Sequence, residues 1–154
     1  MAIAHKLLAD LAAEVDQGFL EDTFDILGHK YTMRLLSDGE TNWKNRYIDG
    51  LSSALSIISQ RRAATLAIAI RIIDGHNVES LYAPAAPTSD ATDIEKAEYE
   101  RWTKMGRLER QFDASRKLYD YLSLRPDTFT VALFEKFQEL ESRREEVIKN
   151  IKKS

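Results

Sequence analysis

The stretch "FDILGHKYTMRLLSDGE", Phe24 to Glu40, constrains this chain more than any other. Phe24 and Ile26 alternate with polar neighbours, and so do Tyr31, Met33 and Leu35 on the far side of "LGHK". Period two on both sides of a short break, with Gly28 free to take positive φ, predicts a β-hairpin. Immediately afterwards Ser37 and Glu40 stand in capping-box spacing, where a hydroxyl and a carboxylate reciprocally satisfy the free N–H groups of a helix start. A lone hairpin is marginal in water, so its apolar face needs a further strand or a helix to cover it. That requirement points to an α+β fold.

The rest of the chain is read against that demand. Residues 2–17 carry Ile3, Leu7, Leu8, Leu11, Ala12 and Val15 at three- and four-residue steps, with Gly18 as C-cap, and predict an N-terminal amphipathic helix. Asp10, Glu14 and Asp16 interrupt its apolar character, which argues against a signal peptide. A helix from Asp38 into the fifties carries the stripe Trp43, Tyr47, Leu51, Leu55 and Ile58. In "TLAIAIRIIDGHNV", Leu66, Ile68, Ile70 and Ile72 alternate with Ala67, Ala69 and Arg71. The alternation favours a strand completing a small antiparallel sheet, although the alanines leave a helix open for 65–73.

"APAAPTSDAT", 83–92, is a break in composition and reads as a linker. Residues 93–122 predict a long charged helix bearing Trp102, Leu108, Phe112, Tyr119 and Leu122. Pro126 ends it, because the residue before a proline is pushed out of helical space. Phe129–Lys152 predicts a last helix with Leu133, Phe134, Phe137 and Leu140, antiparallel to the one before. The expected organisation is an α+β domain over 1–82, a linker over 83–92 and a helical hairpin over 93–154.

Chemistry is harder to find. The chain has no cysteine, which removes thiolate catalysis and zinc knuckles. Its three histidines share no ligand spacing, and its six glycines form no phosphate loop, so neither metal nor cofactor is expected. The carboxylates of "EKAEYER" and "ELESRREE" alternate with basic residues at helix-pair spacings, the pattern of a solvated face. A net charge of −3 disfavours nucleic acid as the main partner. The longest apolar window, "TLAIAIRII", is too short to span a bilayer, and the chain is expected to be soluble.

What stands out is apolar helix surface in excess of what a small sheet and a hairpin hide, the mark of an assembly protein. Leu7 and Leu11 on the first helix, with Trp102, Leu108, Phe112, Phe134 and Phe137 on the late ones, are the candidate partner-contact residues. The alternative is a regulatory or nucleic-acid-associated domain using Lys44, Arg61, Arg62 and Arg71.

The order of these parts resembles the tail-assembly chaperone and baseplate-hub proteins of tailed bacteriophages. The likeness rests on the hairpin "FDILGHKYTMRLLSDGE", the tryptophan-bearing helix, "TLAIAIRIIDGHNVESL" and "DYLSLRPDTFTVALFEKFQELESRR", from about Phe24 to Arg144. These are packing motifs rather than chemical signatures. The resemblance implies a non-enzymatic protein working in the virion tail or baseplate, or in the host cytoplasm during assembly. Its partners would be tape-measure, tube or hub subunits, with a homo-oligomer left open. The charged late helices tilt the expectation towards a docked structural role.

Overall fold

The computed structural model describes residues 21–50 and 56–153. Its strands are β1 (Glu21–Ile26), β2 (His29–Arg34), β3 (Ile70–Ile73) and β4 (His76–Asn77). Its helices are α1 (Asp38–Asp49), α2 (Ile57–Ala69), α3 (Val78–Tyr82), α4 (Asp93–Thr103), α5 (Arg107–Ser123) and α6 (Asp127–Lys153). The strands make one antiparallel sheet in the order β1-β2-β3-β4, and the fold is α+β. The predicted helix over 2–17, with Leu7 and Leu11, lies outside the described residues, as do Leu51 and Leu55.

The hairpin forms as its alternation demands. Phe24 pairs with Tyr31, and both side chains are buried. On the opposite face the Thr23 and Thr32 hydroxyls meet at 2.8 Å. The turn has positive φ at both central positions, 51° at Leu27 and 84° at Gly28, the mirror-image geometry that follows strand twist. The β3–β4 turn repeats it with Asp74 at 50° and Gly75 at 80°. Asp74 suits that region and leucine does not. Leu27 is also 81% exposed, so its side chain holds little in place. Leu27→Asn is therefore expected to raise stability by about 0.5–1 kcal/mol, read as a higher urea midpoint at unchanged slope.

The two turns lie side by side. Asp74 accepts the Lys30 N–H at 2.8 Å through Oδ1, and its Oδ2 meets His29 Nδ1 at 2.6 Å. The Lys30 amide and His29 hold the Asp74 carboxyl below the usual aspartate value.

Residues 66–69 correct the strand reading. They are the last turn of α2, and the strand begins only at Ile70, pairing with β2 as expected. Every residue from Ala63 to Ile70 is buried. This C-terminal half of α2 is enclosed on all sides and has no polar face, so its apolar positions show no 3.6 period. The alternation of Leu66, Ile68 and Ile70 reflects uniform burial rather than a pleat. The predicted run from Asp38 to Ile58 is likewise interrupted. α1 ends at Asp49 with Gly50 as C-cap, and Ile58 belongs to α2, where it is 72% exposed.

The long helix predicted over 93–122 is two. α4 stops at Thr103 and Gly106 caps α5. Arg110 holds the joint: its Nε and Nη2 donate to the Trp102 and Thr103 carbonyls at 3.2 and 3.1 Å, while its guanidinium lies 4.0 Å over the Trp102 ring. α5 and α6 follow one another across the break before Pro126 as expected, but both dock on α2. One core takes Met33 and Leu35 from the sheet region, Leu66 and Ile70 from the centre, Leu118 and Leu122 from α5, and Leu133, Phe137 and Leu140 from α6. The apolar residues between Ala114 and Leu140 therefore close the core begun by residues 21–82 rather than forming one of their own.

Candidate binding cleft

Three helix faces converge on one concavity. α1 brings Thr41 and Lys44, α2 brings Ile58, Arg61, Arg62 and Thr65, and α6 brings Val131, Phe134, Glu135, Phe137, Gln138, Glu141 and Arg144. Leu35 and Leu36, from the segment that leads into α1, complete a cleft of about 760 Å³. The spacings show why these side chains share it: 58, 61, 62 and 65 on α2 and 134, 137, 138, 141 and 144 on α6 each follow one face of a 3.6-residue helix. Phe134 and Phe137 lie 5.8 Å apart at 27° on the floor.

Several guanidinium groups elsewhere meet carboxylates, Arg34–Glu40 at 2.7 Å, Arg71–Glu79 at 3.1 Å and Arg143–Asp22 at 2.6 Å, while Arg110 and Arg125 lie over aromatic rings. Among the described residues, Lys44, Arg61, Arg62 and Arg144 make no such ion pair. Lys44 has only the Thr65 hydroxyl, at a long 3.5 Å. Burial lowers the Lys44 ammonium below the usual lysine value and Arg61 lowers it further, against an opposing pull from Glu141. The cleft thus holds four cations without an ion pair among the described residues, two of which, Lys44 and Arg144, feel the Glu141 carboxylate.

No protein-family model, curated protein or solved structure matches this chain. The cleft is therefore read from its own geometry.

Of the residues singled out in the sequence, Phe134 and Phe137 line the cleft, Phe137 buried and Phe134 half-buried. Trp102 and Phe112 are committed elsewhere. Trp102 sits under Arg110 beside Tyr99, and Phe112 stacks on Trp43 at 4.4 Å and 10°. Leu108 is 65% exposed on α5 and does not line the cleft. The basic set divides: Lys44, Arg61 and Arg62 come together, whereas Arg71 pairs with Glu79. Arg144, Thr41 and Thr65 were not foreseen; for Arg144 the available signal was the i, i+3, i+7, i+10 spacing of Phe134, Phe137, Glu141 and Arg144.

Two buried polar groups near α5 are structural. Burial raises the Asp113 carboxyl, but the hydrogen bonds and charges of Arg116 and Lys117 outweigh it and leave the group below the usual aspartate value. Tyr119 is buried with Tyr47 edge-on at 5.3 Å, and its hydroxyl has no hydrogen-bond partner among the described residues. An unmatched buried hydroxyl costs about 1–3 kcal/mol. Tyr119→Phe is expected to leave stability unchanged or raise it by up to about 1 kcal/mol, whereas a loss in chemical denaturation would reveal a partner for the hydroxyl.

Among the described residues no group of histidines, aspartates or glutamates is arranged to hold a metal ion, and no helix is long and apolar enough to cross a membrane.

Proposed function

We propose that this chain is a non-enzymatic binding protein that helps to build a bacteriophage tail or baseplate by seating segments of neighbouring tail proteins. The binding part of this reading is carried by the cleft, where cations without an ion pair flank an apolar floor formed by Leu36 and Phe134. Such a site pairs an apolar anchor with charges that select the partner. The phage part rests on the resemblance in the order of hairpin, tryptophan-bearing helix and late helices. The partners would be tape-measure, tube or hub subunits.

A second reading has one observation in its favour: Lys44, Arg61 and Arg62 converge, as a phosphate-binding patch would require. One experiment separates the two. The chain is co-expressed with the tape-measure, tube and hub subunits of the same phage and complexes are resolved by size-exclusion chromatography. Co-elution with at least one subunit is expected. No complex, together with salt-sensitive retention of random duplex DNA, overturns the proposal in favour of the second reading.

A further inference from the structure

We infer that the cleft between α1, α2 and α6 receives an amphipathic helix from a partner protein, with large aliphatic side chains inward and aspartates or glutamates on its flanks. The inference deepens the proposed function by naming the partner's chemistry. Its basis is charge complementarity. Four cations line the cleft against two carboxylates, Glu135 and Glu141, so the walls carry a positive excess. None of the four is neutralised by an ion pair within the described chain, in contrast to Arg34, Arg71 and Arg143. Lys44 stands near Arg61 while partly withdrawn from water, an arrangement that a carboxylate brought in from outside would relieve.

The floor selects within the anionic ligands. Leu36, Val131 and Phe134 offer an apolar surface, and Ile58 stands 72% exposed at the margin. An apolar groove flanked by charge is the setting in which a helix docks through i, i+3, i+4 and i+7 anchors. The volume of about 760 Å³ suits several such side chains. A nucleic-acid backbone suits the cleft less well, because it brings no aliphatic side chains for Leu36, Val131 and Phe134 to bury.

The test uses the full chain and a fluorescein-labelled helical peptide of roughly 16 residues, with leucines at i, i+3, i+4 and i+7 and glutamates on the flanks. Binding is followed by fluorescence anisotropy at low ionic strength, where charge pairing is least screened. The glutamate peptide is expected to bind at least about tenfold more tightly than the same peptide with lysines in place of the glutamates. Arg61→Glu/Arg62→Glu is expected to lose about tenfold in affinity, and Phe134→Ser to weaken binding at any salt concentration. Arg125→Glu, on a cation that stacks on Tyr121 away from the cleft, should change nothing. Circular dichroism checks that each variant folds, and Arg61→Gln, with a smaller loss, replaces the double variant should that fail. Equal affinity for both peptides, no peptide binding, wild-type affinity in the Arg61/Arg62 and Phe134 variants, or displacement of the peptide by a random DNA oligonucleotide overturns the inference. A complex with a tail subunit that tolerates the cleft substitutions removes the inference and leaves the proposed function standing. Peptide binding as described without any tail-subunit complex does the reverse.

Discussion

Replacing Glu40 by alanine is expected to cost about 3 kcal/mol of folding free energy, one of the two largest effects among those proposed for single substitutions. Glu40 is 5% exposed and its carboxylate is shared by three elements. Arg34 on β2 grips it with both guanidinium nitrogens, Nη1 to Oε1 at 3.0 Å and Nη2 to Oε2 at 2.7 Å. The Ser37 amide donates to Oε1 at 2.8 Å, closing the capping box, and Gln111 on α5 donates to Oε2 at 2.7 Å. Alanine would remove the negative partner from a half-buried arginine and leave the Ser37 and Gln111 donors without their acceptor. Charge-assisted bonds contribute about 1.5–3 kcal/mol each, but they are not additive, and Arg34 retains access to water. Hence about 3 kcal/mol rather than their sum. Glu40→Gln keeps an acceptor for Ser37 and loses the charge, so it should fall between alanine and wild type. Urea denaturation at neutral pH reads all three. A loss under about 1 kcal/mol for alanine would mean that the network contributes little to holding α1 against the sheet and α5.

Leu66→Ala is expected to cost about 3–4 kcal/mol and to lower the thermal midpoint by about 10 °C. Leu66 is fully enclosed, and α2, which carries it, packs against α1, α5 and α6. Four alanines at 63, 64, 67 and 69 line the same stretch and let those neighbours approach closely. With the smallest side chains already on its own helix, the site has little scope to collapse around a deletion, which places the expected cost in the middle of the range for buried leucines. Calorimetry with a matched surface control, Leu124→Ala on a residue 78% exposed, gives the comparison.

The parts of this fold that were legible in the sequence are those where one short-range interaction decides the backbone. Phe24, Ile26, Tyr31 and Met33 alternate because one face of the hairpin is buried, and Gly28 marks the turn because it takes positive φ. Ser37 and Glu40 form the capping box their spacing implies. The end of α2 was not legible, since three neighbours bury residues 63–69 on all sides and erase the helical period. Nor was the break at 104–106, whose stabilising contact is Arg110 reaching back to the end of α4. The cleft was half legible. Lys44, Arg61, Arg62, Phe134 and Phe137 were each noticed, but under two separate readings, because sequence does not reveal that α1, α2 and α6 face one another.

The passage from α2 to β3 has no loop: Ala69 ends the helix, Ile70 begins the strand, and the Ile70 amide still donates to the Leu66 carbonyl. Adding or removing one residue there would turn the helix by about 100° or swap the faces of the strand. Evolution can therefore lengthen 83–92 far more freely than this joint, where one helix supplies a wall of the cleft and runs directly into a strand of the sheet.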